Sequence, residues 1–151
     1  MTEEDKYKED LLEKSKDCYP RGIFITLSQD ITVYKIIQIN CFTIGLCTLI
    51  IPKDSKVFML GTSCRSNKAT VQNITKVRRI HNTFVNTDKN KRKGKSYYDP
   101  SFKYKVGNLI IPEPKFSEIP VMDTSGIHFY LHTLEALDNY NYSNNYDDYK
   151  F

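Results

Sequence analysis

A chain of 151 residues and 17.7 kDa, with 40 % hydrophobic and 26 % charged residues, has the material for one core and too little length for two ordinary domains. The formal net charge is +4, and eleven Tyr, eight Phe and no Trp make a balance that excludes bulk disorder. Lys outnumbers Arg seventeen to five, the bias of an A+T-rich genome, which bears on source and not on mechanism.

The first seventeen residues are charged throughout and offer no apolar core to a translocon, so secretion is not expected. Residues 3–17 set Leu11 and Leu12 between acids in front and Lys14 and Lys16 behind. That order matches the sign of a helix dipole and predicts a short, loosely attached helix, set apart as residues 1–21 from a single domain over 22–141. From Gly22 the pattern turns β-branched and aromatic, and strands are predicted over 23–27, 32–40, 43–51 and 57–60. Both faces of 32–39 carry apolar residues, as in a central strand, whereas 69–77 alternates like an edge or half-exposed one. The most apolar stretch, 36–52, is interrupted by Gln38, Asn40, Thr43, Gly45 and Thr48, short of the roughly 20 apolar residues of a membrane helix.

Residues 86–95 read NTDKNKRKGK, contain nothing apolar and predict a solvated basic loop. Phe102, Tyr104 and Val106 then alternate with Lys103 and Lys105, a strand with lysines outward, and 109–111 is an apolar run stopped by Pro112 and Pro114. A last strand is predicted over 126–131, with Thr133 capping a helix over 134–140 whose Leu134, Leu137 and Tyr140 share a face. Residues 142–151 are rich in Tyr, Asn and Asp and predict a disordered tail. The class expected is α+β: a mixed, mostly antiparallel sheet of about six or seven strands with a helix at each end. Cys18, Cys41, Cys47 and Cys64 are expected to be free, mostly buried thiols.

Three phrases, taken in order, carry a resemblance. Leu49-Ile50-Ile51-Pro52-Lys53-Asp54 leads to Cys64-Arg65-Ser66-Asn67-Lys68-Ala69. Tyr98-Asp99-Pro100-Ser101-Phe102-Lys103-Tyr104-Lys105-Val106-Gly107 follows, and Ser125-Gly126-Ile127-His128-Phe129-Tyr130-Leu131 runs into Glu135-Ala136 and Tyr140. Together they resemble a domain of unknown function common in giant DNA viruses of amoebae, where it often accompanies pentapeptide-repeat proteins. That family has no assigned activity, so the resemblance implies a viral α+β domain of the host cytoplasm or virion, and no chemistry. Met122-Asp123-Thr124 stands where the family has a cysteine, and no pentapeptide repeat is present, so roles tied to either are not carried over.

The strongest physical signal is charge asymmetry. Residues 64–105 hold twelve Lys or Arg against Asp88 and Asp99, while the two ends of the chain are net acidic. Arg65, Lys68, Arg78, Arg79, Lys91, Arg92, Lys93 and Lys95, with Tyr98 and the nearby Tyr97 and Tyr104, are the residue types that neutralise phosphates and stack on bases. The plainer alternative is a solvated surface that keeps the protein soluble or pairs with its own acidic ends. The expectation is a non-catalytic binding or scaffold module for an acidic protein or nucleic acid, with no cofactor, no metal and no membrane partner.

Two enzyme alternatives stand beside it. Cys64 adjoins the cation Arg65, and His128 with Asp123 are the types that serve as base and orienter for a thiol nucleophile. The phrase 126–130 followed by 134–140 is similar to the strand-helix segment of ADP-ribosyltransferases, with Leu60-Gly61-Thr62-Ser63 in place of their His-Gly-Thr, but no glutamate follows Glu135. Of the metal-ligating types only His128 and His132 approach zinc spacing.

Overall fold

The computed structural model describes residues 1–80, 83–97 and 99–145. Helix α1 (Glu3–Asp17) is followed by β1 (Ile23–Thr26), β2 (Ile31–Asn40), β3 (Thr43–Ile51), β4 (Lys56–Leu60), β5 (Ser63–Ser66), β6 (Ala69–Ile80) and β7 (Thr83–Lys91). The chain continues through β8 (Lys93–Lys95), β9 (Lys103–Lys105), β10 (Leu109–Ile110) and β11 (Ile127–Tyr130) to helix α2 (Thr133–Asn145). The class is α+β, with a helix at each end of one large antiparallel sheet.

The main path runs β1-β4-β5-β11-β2-β3-β6-β10, so the last strand inserts between β5 and β2. β6 carries β3 on one edge and β7 on the other, and after Arg92 the chain re-enters the sheet as β8 on the free edge of β2, where Lys95 pairs Gln38. A strand can join both edges only if β2, β3, β6 and β7–β8 curl into a closed barrel. The closure is tight: a Cβ on Gly94 would sit 2.6 Å from Ile37 Cδ1 and 2.9 Å from the Gln38 carbonyl.

Alternation on these strands divides two cores. Val33, Ile37, Cys47, Leu49, Ile51, Met59, Cys64, Ile74 and Phe129 meet inside with Leu11 of α1. Ile44, Leu46 and Val77 turn outward against α2, where Ala136, Leu137 and Tyr140 cover them. Leu134, expected on that face, is 68 % exposed. Thr133 is the first helical residue and not the cap; Glu135 Oε1 accepts from the His132 N–H, so the cap lies one residue earlier.

Several expectations change. α1 has the predicted bounds and a Thr2–Asp5 capping box, but it is firmly docked and shares the core of the 22–141 unit. Glu4 accepts from the Thr32 N–H (3.1 Å), the Tyr7 hydroxyl from the Ser28 N–H (2.8 Å) and Ser15 Oγ from the Gly61 N–H (2.7 Å), and buried Lys8 donates to the Leu131 carbonyl (2.9 Å). Each partner is distant in sequence, so a helical pattern with two leucines could not announce them. The basic loop over 86–95 is instead the end of β7 and all of β8: a ladder is satisfied by backbone groups, and outward side chains can all be polar. For the same reason β6 is paired on both edges and is not an edge strand. The expected tail from 142 begins inside α2, which runs to Asn145, and 146–151 lie outside the described residues.

One buried cation organises the long segment between β10 and β11. Arg65, 0 % exposed, donates through Nη1 to the carbonyls of Ser117 (2.6 Å) and Ser125 (3.0 Å), through Nη2 to Ile119 (2.7 Å) and through Nε to Val121 (3.1 Å). Its guanidinium carbon lies 4.8 Å from the ring centre of Phe116, 5.0 Å from Phe58 and 5.9 Å from Phe24. Charge-assisted bonds to four carbonyls and three aromatic faces offset its desolvation without a carboxylate. Gly126 permits the approach, since a Cβ there would lie 2.9 Å from Arg65 Cβ. Arg65→Met should lower the unfolding free energy by about 3 kcal/mol or more in urea titrations, because four carbonyls lose their donor. Arg65→Lys should recover little of it, since an ammonium cannot reproduce the planar fork.

A second cation sits within the barrel wall. Lys35, half-buried and opposite Cys47, donates to the Tyr104 hydroxyl at 2.7 Å with its Nζ 5.0 Å from that ring's centre. Burial pulls Lys35 down from 10.5 to about 8 and pushes Cys47 up from 9.0 to about 12; burial also raises Tyr104. Between pH 8 and 10.5 the unfolded chain holds the extra lysine proton, so this group's contribution to stability rises with pH there. Cys47 and Tyr104 act with the opposite sign above their unfolded values. Measured against the native chain, Lys35→Met should therefore lose relative stability from pH 8 to 10.5 in denaturant titrations at stepped pH.

Candidate functional site

The β8–β9 hairpin gathers the basic residues. Lys93 pairs with Lys105, Gly94 with Tyr104, and Lys95 with Lys103. Period-2 alternation puts Gly94 and buried Tyr104 toward the barrel and all four lysines on the other face. Each lysine therefore lies directly opposite another, about 5 Å apart at Cβ, an arrangement that weakens the pairing of the strands. Among the described residues no ion pair reaches these four; the ion pairs there are Lys8–Glu4 and Lys56–Glu118. Acidic α1 docks at the far end of β2, where Glu4 meets Thr32, about 20 Å of strand from Gln38 and its partner Lys95.

The other expected binding residues divide. Lys91 and Arg92 lead directly into β8, half-buried and exposed respectively. Arg78 is exposed on β6, which runs past the end of β3 toward the β2–β3 turn. Lys68 precedes β6 at its opposite end, about 30 Å from Arg78, and does not join the group. Arg65 leaves the proposed surface altogether, because its guanidinium is buried and committed to the 117–125 carbonyls. The side chain of Arg79 and the whole of Tyr98 lie outside the described residues.

Neither of the other two expected aromatic platforms is available. Tyr104 is 2 % exposed beneath the ribbon, and Tyr97 is half-buried edge-on to Tyr140 at 5.6 Å. Phe42, in the β2–β3 turn, is 100 % exposed. Sequence reasoning passed over it, although an aromatic in the turn Asn40-Cys41-Phe42-Thr43, with no alternation to bury it, was the available signal.

The thiol enzyme is not assembled. Cys64 pairs with Met59 and Phe129 on the face turned to the main core, whereas Arg65 and His128 pair with each other on the opposite face. Adjacent strand residues point to opposite faces, so Arg65 cannot activate Cys64 and His128 cannot deprotonate it. Burial, with Glu135 as a smaller contributor, instead pushes the Cys64 thiol well above its ordinary value. His128 Nδ1 lies 3.1 Å from the Gly126 carbonyl and Nε2 3.0 Å from that of Met122, and exposed Asp123 is not among its partners. Desolvation lowers the imidazole pKa against the pull of those carbonyls. Of the ADP-ribosyltransferase phrase, Ser63 and Tyr130 do pair, but Glu135 is engaged in capping α2.

A cleft of about 600 Å³ near the end of α1 is lined by Cys18, Arg21, Phe58, Leu60, Pro120 and Met122 among others, and none of Cys64, His128 or Asp123 lines it. Among the described residues no group of three or more His, Cys, Asp or Glu is placed to hold a metal, and no helix is long and apolar enough to cross a membrane. All four cysteines are free: Cys41 exposed, Cys18 half-buried, Cys47 and Cys64 buried. Alkylation at neutral pH followed by mass spectrometry should label Cys41 first and Cys18 next, and reach Cys47 and Cys64 only after unfolding. Cys64→Ser should leave the native labelling pattern unchanged.

No curated protein and no solved structure matches the chain. The model of a family of unknown function, DUF5758, matches residues 15–136, from the end of α1 through the whole sheet into α2, and the chain belongs to that family.

Proposed function

We propose that this domain is a non-catalytic binding module that receives a polyanion, nucleic acid or an acidic protein segment, on the lysine face of β8–β9. One observation carries the proposal: two like-charge pairs stand with each lysine directly opposite another, and no ion pair among the described residues reaches them. Such pairs cost stability in the free protein and are relieved by an external anion. Lys91, Arg92 and Arg78 add positive charge to this part of the chain, and acidic α1 docks at the other end of β2. In keeping with the resemblance to giant-virus domains that accompany pentapeptide repeats, the setting proposed is the host cytoplasm or virion.

The test uses opposite signs in one variant. Lys105→Glu places a carboxylate opposite Lys93 and should raise stability by a few tenths to about 1 kcal/mol. The same change should weaken binding to single-stranded nucleic acid at low ionic strength. With four lysines engaged, log K against log salt should fall with a slope of about −3 for the native chain and less steeply for the variant. Binding absent at low salt, or insensitive to salt, overturns the proposal.

A further inference from the structure

We propose that the ring of Phe42 is a stacking platform for a base of single-stranded nucleic acid whose phosphates follow the lysine face of β8–β9. The inference rests on the polyanion-binding reading and deepens it by naming the partner. Phe42 is covered by nothing among the described residues, and its backbone N–H is held by Asn40 Oδ1 at 3.0 Å, so the turn that presents it is locally ordered.

The registers place this ring among cations. Lys95 pairs Gln38 in antiparallel sense, so Lys93 lies two residues further toward Asn40 and the turn, with Lys105 opposite it. On the other flank Val77 pairs Ile44, and exposed Arg78 is the next residue toward the same turn. Along the sheet, the turn that carries this aromatic thus stands between the strand that bears Arg78 and the ribbon that bears Lys93 and Lys105.

The layout favours a chain-like anion with flat groups. Lys93–Lys105 and Lys95–Lys103 are successive rungs about 7 Å apart, leading away from the ring along the ribbon. A strand can lay phosphates along such a row while one base stacks at its end, without sequence preference because every base has a π-face. Exposed Ile80 on the adjoining hairpin makes an anionic bilayer the rival occupant. A bilayer, however, takes cations at one depth around a broad apolar face, and these cations recede from the tip in steps. An acidic peptide, unlike a nucleic acid strand, does not carry a flat ring at every charged repeat of its chain.

The experiment uses the full chain at low ionic strength with three probes: a labelled oligothymidylate, an abasic strand of the same length, and phosphatidylserine vesicles. The oligothymidylate should bind more tightly than the abasic strand. Phe42→Ala should weaken oligothymidylate binding by about tenfold and leave abasic binding unchanged. Because the chain has no Trp, Phe42→Trp supplies a single indole whose emission should be quenched by the oligothymidylate and not by the abasic strand. Equal binding of both strands, or no effect of Phe42→Ala, overturns the stacking inference, and a loss of both on Lys105→Glu shows that the basic face survives it. Failure of both strands to bind removes the underlying proposal as well. Vesicle binding that disappears with Phe42→Ala, beside unaltered oligothymidylate binding, assigns the ring to a membrane and overturns the inference.

Discussion

The buried guanidinium of Arg65 is the contact on which the rest of the molecule depends. β11 comes last but one in the chain and must enter between β5 and β2, strands formed long before it. The segment that delivers it, 111–126, has prolines at 112, 114 and 120 and no regular backbone bonding of its own. Four of the five guanidinium donors gather carbonyls of that segment, and three phenylalanine rings enclose the charge. Backbone polar groups that leave water need partners, and here one side chain supplies four of them.

The same economy of polar groups explains why two cations of similar composition have opposite fates. Arg65 lies on a strand whose outer face is roofed by the 117–125 segment, so its charge is consumed internally. The lysines at 93, 95, 103 and 105 lie on a ribbon whose inner face is filled by Gly94 and Tyr104 and whose outer face has no roof among the described residues. An arginine that holds up the architecture and lysines that face outward look alike in composition; pairing and covering separate them.

Loss of the thiol centre has an equally simple cause. Cys64 and Arg65 are neighbours in the chain, which suggests an activated thiol, but within a strand neighbours are the residues least able to meet. The parity that sends Cys64 inward sends Arg65 and its partner His128 outward. Burial then raises the thiol pKa where a nucleophile needs it lowered.

Local chemistry alone determined much of this protein: the helix over 3–17 through its charge order and cap, and most strands through β-branched and aromatic runs between turn residues. It also determined that the middle third carries the positive charge. Tertiary structure alone decided which of those charges reach solvent, that a run without apolar residues becomes β7 and β8, and that Phe42, not Tyr104, stays bare. The reason is physical: periodicity reports which side chains alternate, but the ladder is made by backbone groups common to all residues. Which face is covered depends on strands brought from far along the chain, such as β11 beside β5 and β8 beside β2.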